Sequence, residues 1–487
     1  MNNQDYRNVL LDAFFESNKL AVEQIDSYNS FIDKLQDYVD EVKLINPKIS
    51  DVTIELGEVK IGRPQVVEAD GLHKKMLPFE ARLRGRTYAA PLWIKMSLLR
   101  RGIPSETENI YVGDMPVLAK SKLCYLSEMT PDQLVQGKED PLDPGGYFIT
   151  NGTERIVGNR EETAIGKLLV KEAGLTTSGT YMGQRGAFKA RVSVEKDKGS
   201  VLRVAFPTVR KIKLINVLIA LGMTKDQIAK EFKGTLEVEN DLLVNFEECD
   251  VKNEEEGLLY IGKFVAPNQP NEYKLRRSNE VLDQFLLPNI GVTRDDRHLK
   301  AYALIRMAEK IIDSSYGLRP TDDLDNYANK RVRTTGPMME QLFRQALKKM
   351  AMDIQKNIEK TIARRRKLRL KTLIQPAVLT QTIQRSVNTG IWNTQTKGIT
   401  RVLDRTNYVS VAIDFKKINS GLSPLRAPLD SRKLHGTHWG RICCVSTPDD
   451  ENCGLTKNLS TLSQITIDSS PEQVIDVLQK SKIKIVR

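Results

Sequence analysis

Hydrophobic positions in residues 1–44 recur three and four apart, the spacing of an amphipathic helix. Residues 51–68, "DVTIELGEVKIGRPQVVE", instead alternate apolar and polar side chains between Gly and Pro breaks, which predicts strands. Residues 184–214 alternate more strongly and predict a sheet that exposes basic side chains. Helical spacing returns at residues 215–232 and dominates from 297 to about 366. The pattern predicts an α+β chain.

Shorter stretches add local predictions. The segment "LDPGGYFITNGTERIVGN" has an Asn-Gly pair between two apolar runs, the usual signal of a β-hairpin. Arg82, Arg84 and Arg86 alternate, so a strand would place them on one face. The stretch 240–257 is acidic, and we expect it to leave the packed fold and lie on the surface. Neither repeats nor heptads are found.

Length and composition limit the class of protein. The 487 residues, 40% of them hydrophobic, are enough for two to four domains. No apolar run reaches the roughly 20 residues that a membrane span requires, and the polar start is unlike a secretory signal. Five cysteines, an odd number, fit a reducing compartment better than a disulfide framework. We therefore expect an intracellular, cytoplasmic chain.

Charge points to an anionic partner. The formal net charge is +12, and such an excess favours nucleic acid through attraction to phosphates. The run from Arg364 to Lys371 is too dense for a core. Lys397, Arg401 and Arg405 follow at four-residue spacing, which would place them on one helical face. Any one cluster could be a solvated surface, but several together favour nucleic acid.

No complete active site emerges from residue types and spacing. Five residues could in principle bind zinc: His435, His438, Cys443, Cys444 and Cys453. Structural zinc sites favour paired ligands two to four residues apart, so the spacing of these cysteines argues against zinc. Hydrogen-bonded imidazoles and small buried thiols explain them better. Asp322 and Asp323 precede a helical pattern, where capping explains them. Neither a phosphate-binding glycine loop nor an activated nucleophile is present.

Five segments are distinctive: "LPFEARLRGRTYAAPL", "DPGGYFITNGTERIV", "DNYANKRVRTTGPMMEQLFR", "VNTGIW" and "KLHGTHWGRICCVSTPDDENCGLTKNL". Together they resemble the second-largest subunit of multisubunit DNA-dependent RNA polymerase, in an archaeal or eukaryotic rather than a bacterial form, with more likeness to the archaeal one. Their order matches the family, but the chain is about half as long as the full subunit. This length resembles the amino-terminal piece of archaeal subunits split in two, called B double-prime, and a fragment of an undivided subunit would look the same. We expect the split piece.

The resemblance implies a multidomain α+β architecture with protrusion, lobe and fork domains. The implied boundaries are protrusion at 1–165, lobe at 166–318, protrusion return at 319–372, fork at 373–460, and the start of an external domain at 461–487.

The resemblance also implies where the chain meets nucleic acid. The loop Ser446–Asn452 would line the active-site cavity, although Ser446 and Asp450 depart from the family's usual Glu and Gly. Residues 394–398 would form a fork loop where downstream DNA strands separate. The implied cavity residues are Asp449, Asn452 and Lys457; the implied nucleic-acid contacts are Lys397, Gly398, Arg401, Asp404, Arg405, Lys416 and Lys417. No catalytic residue and no metal ligand is expected on this chain alone.

The implied function is that of a DNA-directed RNA polymerase subunit, part of a nucleotidyltransferase active in transcription only as a complex. Mg²⁺ would be held by the largest subunit. Implied partners are the carboxyl-terminal half of the second-largest subunit, the largest subunit or subunits, other polymerase subunits, the DNA template and nascent RNA, without a membrane. Two alternatives stay open: a free-standing nucleic-acid-binding scaffold, and a self-sufficient nucleotidyltransferase, which would need an aspartate cluster.

Overall fold

The computed structural model describes residues 3–17, 19–47, 52–68, 70–174, 176–186, 188–232, 235–392, 398–466 and 471–481. The chain divides into two compact units. The first unit joins two distant stretches, Met1–Glu162 and Val332–Arg487, and the second unit is the segment Thr163–Arg331 between them. The second unit is thus an insertion in the first.

Helices and strands alternate in blocks along the described chain. The helices are α1 (Asn3–Ser17), α2 (Val22–Asp33), α3 (Leu35–Asp40), α4 (Pro78–Leu83), α5 (Pro131–Gln136), α6 (Leu214–Ala220), α7 (Lys225–Glu231), α8 (Leu236–Glu247), α9 (Glu254–Val265), α10 (Asn271–Gln284), α11 (Arg297–Ser315), α12 (Thr335–Ala363), α13 (Leu370–Leu373), α14 (Pro376–Thr389), α15 (Tyr408–Lys416) and α16 (Pro471–Lys480). The strands are β1 (Leu44–Ile45), β2 (Val52–Ile61), β3 (Gln65–Val67), β4 (His73–Lys75), β5 (Ala89–Arg100), β6 (Ile103–Pro116), β7 (Phe148–Thr150), β8 (Thr153–Val157), β9 (Asn159–Thr163), β10 (Leu168–Ala173), β11 (Thr176–Arg185), β12 (Phe188–Lys196), β13 (Leu202–Phe206), β14 (Val209–Lys213), β15 (Lys330–Arg333), β16 (Thr400–Val402), β17 (Lys417–Asn419) and β18 (Thr456–Asn458).

The main core of the first unit lies between helices and an antiparallel sheet of order β1-β2-β5-β6. Tyr28 of α2 is fully buried there; its ring meets that of Phe148 edge-on at 5.7 Å between centroids. Its hydroxyl donates to the Pro116 carbonyl oxygen at 2.8 Å, so the buried polar group is satisfied. Helix α12 contributes apolar residues from Met338 to Ile358 to the same core, which ties the two stretches of the unit together.

Two small sheets of the first unit carry the residues of interest. Strands β7 and β8 form a hairpin, and its turn residues Asn151 and Gly152 both have positive φ, as a tight hairpin turn requires. Strand β16 pairs with the outer edge of β8, antiparallel. Strand β17 pairs in parallel with β9 and antiparallel with β18. Pairing therefore gathers segments far apart in sequence.

The second unit has its own sheet and core. Strands β10 to β14 form an antiparallel meander in chain order. Helix α11 packs with this sheet, and α6 is buried along its whole length. The buried Lys196 ammonium lies 2.5 Å from an Asp241 carboxylate oxygen and 3.9 Å from the centroid of the Tyr316 ring. This pairing offsets the cost of burying the charge.

The mixed α and β class is confirmed, as are the predicted hairpin, the strands of 184–214 and the helices of 297–366. Two local predictions are wrong. Arg82 lies on helix α4 and Arg84 directly follows it, because Pro78 starts a helix and Glu80 pairs with Arg84. The stretch 240–257 is not an excursion from the fold. It contains the end of α8 and the start of α9, two helices whose apolar faces are buried. Among the described residues, no helix is both long and apolar enough to cross a bilayer.

Candidate nucleic-acid interface

Strands β17 and β18 bring two of the predicted groups together. Lys417 lies opposite Asn458, and Ile418 lies opposite Lys457. Lys416 ends α15, and its carbonyl oxygen accepts from the Leu459 amide at 2.9 Å. The basic pair at 416–417 and the end of the predicted cavity loop therefore share one piece of sheet.

Arg401 and Lys417 lie around a common carboxylate. The Arg401 guanidinium is 3.2 Å from Asp414 Oδ1 and also donates to the Asp414 carbonyl oxygen at 2.8 Å. Burial lowers the pKa of Arg401, and the Asp414 charge opposes this. Burial also lowers the pKa of Lys417, with the neighbouring positive charge of Arg401 acting in the same direction and Asp414 and Asp450 against it. Two cations thus lie close together here, and the carboxylates of Asp414 and Asp450 offset their repulsion.

Asp404 and Arg405 make different contacts. Hydrogen bonds from the Thr406 hydroxyl and amide, at 2.6 and 2.9 Å, lower the pKa of Asp404 and hold the turn after β16. Arg405 donates to Glu154 Oε2 at 2.6 Å and to an Asp143 oxygen at 3.1 Å. Burial alone would lower the pKa of Arg405, but these carboxylates raise it above its ordinary value. Its charge is already balanced within this chain.

The Arg405 guanidinium also lies over the Tyr147 ring, 4.9 Å from its centroid. Stacking and two carboxylates fix the plane of the guanidinium. A nucleic-acid phosphate would therefore meet a preoriented but partly neutralised arginine.

The segment from Ser446 to Asn458, which contains the predicted cavity loop and strand β18, is held by its own hydrogen bonds. Asp450 Oδ1 accepts from the Asn452 amide at 2.7 Å, and Thr447 Oγ1 accepts from the Gly454 amide at 2.9 Å. Asn458 Nδ2 donates to Ser446 Oγ at 2.7 Å, and this bond joins the two ends of the segment. The loop is therefore constrained without a metal.

Arg432 fixes the same loop from outside. Its guanidinium donates to the carbonyl oxygens of Glu451 at 2.7 Å, Cys453 at 2.8 Å and Pro424 at 2.8 Å. Gly454 has φ +74°, and a Cβ there would overlap the Arg432 carbonyl oxygen. Only glycine fits this close approach.

The three predicted cavity residues differ in accessibility. Asp449 is exposed and Asn452 is half-buried on the loop. Lys457 is buried; its ammonium donates to Glu161 Oε2 at 3.1 Å, with the two side chains 7% and 5% exposed. Asp449 thus faces solvent in this chain, whereas Lys457 is engaged with Glu161, so Lys457 is placed to support the loop.

The predicted helical face of Lys397, Arg401 and Arg405 is wrong for its described members. Arg401 lies on strand β16, and Arg405 follows that strand, outside any helix. The strand forms because Thr400–Val402 completes the sheet edge beside β8. Lys397 lies outside the described residues. Gly398 has φ +72° with open space around it, consistent with a turn.

The histidines and cysteines of the same segment take part in local hydrogen bonds. His435 Nδ1 contacts Thr437 Oγ1 at 2.7 Å, and His438 Nδ1 accepts from the His435 amide at 3.4 Å. Cys443 Sγ accepts from the Ser446 amide at 3.4 Å. Across the described ranges, no three His, Cys, Asp or Glu side chains cluster as metal ligands would.

Sequence reasoning missed several residues of the site. Two of them, Arg155 and Arg160, share with the predicted Arg401 a buried Nε that has no hydrogen-bond partner in the described part of the chain. Burial lowers the pKa of Arg160 as well as that of Arg401. Glu161 and Arg432 were also missed, because their partners are not local in sequence. No residue pattern signals such contacts.

Family models match most of the chain. The model described as "RNA polymerase beta subunit" matches residues 19–381, and "RNA polymerase Rpb2, domain 3" matches residues 401–465. The chain belongs to the RNA polymerase beta subunit family. The second match contains every predicted contact residue that the structure describes except Gly398.

Archaeal relatives are similar over nearly the whole chain. DNA-directed RNA polymerase subunit Rpo2N of Halobacterium salinarum is 36% identical over 493 residues, 96% of this chain and 94% of the relative. Rpo2N of Methanocaldococcus jannaschii is 34% identical over 491 residues, 98% of this chain and 99% of the relative. Subunit Rpo2 of Saccharolobus shibatae is 36% identical over 471 residues, but this chain spans only 42% of its length.

Proposed function

We propose that the chain is a subunit of DNA-directed RNA polymerase and supplies the amino-terminal half of its second-largest subunit. The observation that carries this proposal is similarity over 96% and 98% of the chain to proteins named as subunits of that enzyme. The chain would hold DNA and the RNA–DNA hybrid during transcription.

The proposal extends to the split of the subunit and its domains. The relatives named Rpo2N, which this chain nearly matches in length, support a B double-prime subunit whose partner is a carboxyl-terminal half. The inserted unit Thr163–Arg331 would correspond to the lobe, and the surrounding unit to the protrusion and fork. The other proposed partners are the largest subunit or subunits, further polymerase subunits, DNA template and nascent RNA.

The role of this chain would be placement rather than chemistry. Arg401 and Lys417 would attract phosphates of the hybrid without reading its sequence, as a polymerase requires. Lys416 would add charge at the edge, and Arg405 would present a guanidinium that Glu154 and Asp143 hold in place. Asp404 would hold the turn after β16. Mg²⁺ chemistry is proposed for a partner chain, since the described residues offer no metal cluster.

The cavity loop would orient the RNA end and the incoming nucleotide. Asp449 is exposed on a loop fixed by hydrogen bonds, which supports a direct contact. Asn452 has its side-chain amide 3.3 Å from Asp450 Oδ2 and would act with it. Lys457 would act by holding the loop through Glu161. Lys397 and Gly398 would form the loop at the DNA fork.

Affinity purification of the tagged chain from its native source tests the proposal. Intact-complex mass spectrometry should find a largest subunit and a separate carboxyl-terminal half bound to it. A lone chain of 55.1 kDa that binds DNA would favour the free-standing scaffold instead and overturn the proposal.

Lys397 tests the fork-loop assignment inside the assembled enzyme. Lys397→Ala should lower open-complex lifetime or elongation rate while leaving assembly intact, because it removes one phosphate contact. Lys349→Ala, an exposed lysine on α12, provides the matched control. Loss of assembly alone would contradict the role given to this loop.

A further inference from the structure

An open pocket of about 730 Å³ lies in the first unit, and its lining includes no residue of strands β16 to β18. It forms where the turn between β5 and β6 meets the end of α12. Its lining combines five cations with aliphatic side chains; the cations are Arg100, Arg101, Arg365, Arg366 and Lys367.

The cations are largely unbalanced. Within the part of the chain that the structure describes, the side chains of Arg100, Arg365, Arg366 and Lys367 form no hydrogen bond or ion pair. Lys371, further along the same run, pairs with Glu108 at 3.2 Å. Clustered like charges repel one another, so a negatively charged ligand would stabilise this pocket.

Two of these arginines occupy unusual backbone positions. Arg101 has φ +50° and Arg365 has φ +52°, in the left-handed region. Glycine or asparagine adopts this conformation at lower cost than arginine. Both arginines of the pocket therefore hold a backbone conformation that costs arginine more than it costs glycine.

The aliphatic residues that line the pocket indicate which class of anion fits it. Val52, Ile103, Ile362 and Leu368 line the pocket among the cations, and Ile103 is 71% exposed. A duplex backbone offers phosphates but no apolar group to cover these residues, and single strands bind through aromatic stacking. The lining contains no aromatic residue. Carboxylates flanking an apolar side chain would satisfy both features.

We propose that this pocket binds an acidic segment of a partner protein, with one or two apolar residues inserted among the arginines. The proposal is independent of the polymerase role, because it depends on the pocket alone. Arg366 and Arg100 would pair with carboxylates on either side of an apolar anchor on Ile103.

Fluorescence anisotropy with the full chain tests this proposal. The probe is a labelled peptide in which Asp and Glu residues flank a central Phe-Leu pair. The peptide should bind, more weakly as salt rises. Replacing Phe-Leu by Ser-Ser should weaken binding about tenfold, the effect of one good contact.

Variants locate the site. Arg100→Glu with Arg366→Glu should weaken peptide binding by about tenfold or more, and Ile103→Ser should weaken it without changing charge. Lys348→Glu with Lys349→Glu makes the same change of four charges at two exposed lysines of α12 outside the pocket, and it should leave binding unaltered. The milder Arg366→Gln keeps the test valid if charge reversal impairs folding.

Two results would overturn the proposal. One is equal peptide affinity for the wild type and the pocket variants. The other is tighter binding of a short DNA duplex than of the peptide, abolished by the same variants, which would assign the pocket to nucleic acid. Neither result depends on whether the chain copurifies with a polymerase.

Discussion

Replacing Lys457 with methionine removes the ammonium that donates to Glu161 Oε2 at 3.1 Å. Both side chains are at least nine-tenths buried, so solvent screens their attraction little. Removing one partner of a buried pair typically costs about 3–5 kcal/mol, since the other charge stays buried. We expect about 3 kcal/mol here, because both residues make further interactions. Glu161→Gln in the same chain should restore about 2 kcal/mol of that loss.

Urea unfolding followed by tryptophan fluorescence measures this effect. All three tryptophans, Trp93, Trp392 and Trp439, belong to the first unit, as do Lys457 and Glu161, so the signal reports the relevant unit. The two single variants and the double variant form a cycle whose coupling free energy is the quantity of interest.

The exposed pair Lys480–Asp476 provides the comparison, with side chains 74% and 58% exposed. Its coupling should stay below about 0.5 kcal/mol, as for surface pairs on a helix. A Lys457–Glu161 coupling equally small would refute the buried-pair argument. Reduced RNA extension by Lys457→Met with unchanged stability would instead favour a direct RNA contact.

Two further predictions concern stability. Burial lowers the pKa of Lys300 from 10.5 to about 8. Between pH 8 and 10.5 the unfolded chain therefore binds more protons than the folded chain does. The free energy of unfolding should rise with pH over this range, by about 3 kcal/mol. Urea unfolding by circular dichroism should show this rise in the wild type and not in Lys300→Met, and equal slopes would contradict it. Gly454→Ala should cost more than about 2 kcal/mol through left-handed strain plus overlap with Arg432, whereas Gly398→Ala, with open space around it, should cost about 1. Equal losses in urea unfolding would show that the Gly454 loop relaxes.

Local pattern predicted much of the fold. The Asn151-Gly152 turn fixed a hairpin because its backbone conformation is itself local, and alternation identified the meander of the second unit. The strand predicted around Arg82 was wrong, because Pro78 starts a helix there and the alternation of charges does not indicate a strand. The helical face predicted from the spacing of Arg401 and Arg405 was wrong, because residues 400–402 pair with β8 and form a strand.

The site was less predictable because its contacts are distant in sequence. Lys457 is 296 residues from Glu161, and Arg405 is 251 residues from Glu154. Family resemblance predicts which segments meet nucleic acid, but it did not predict that Lys457 is buried or that the charge of Arg405 is balanced by Glu154 and Asp143. Such properties arise from packing, which residue spacing does not encode.

RNA extension on a DNA–RNA scaffold tests the central claim most directly. The complex purified through the tagged chain should extend RNA when Mg²⁺ and ribonucleoside triphosphates are supplied, and the chain alone should not. Extension by the chain alone would contradict a placement role. A purified complex without extension activity would contradict membership of a polymerase.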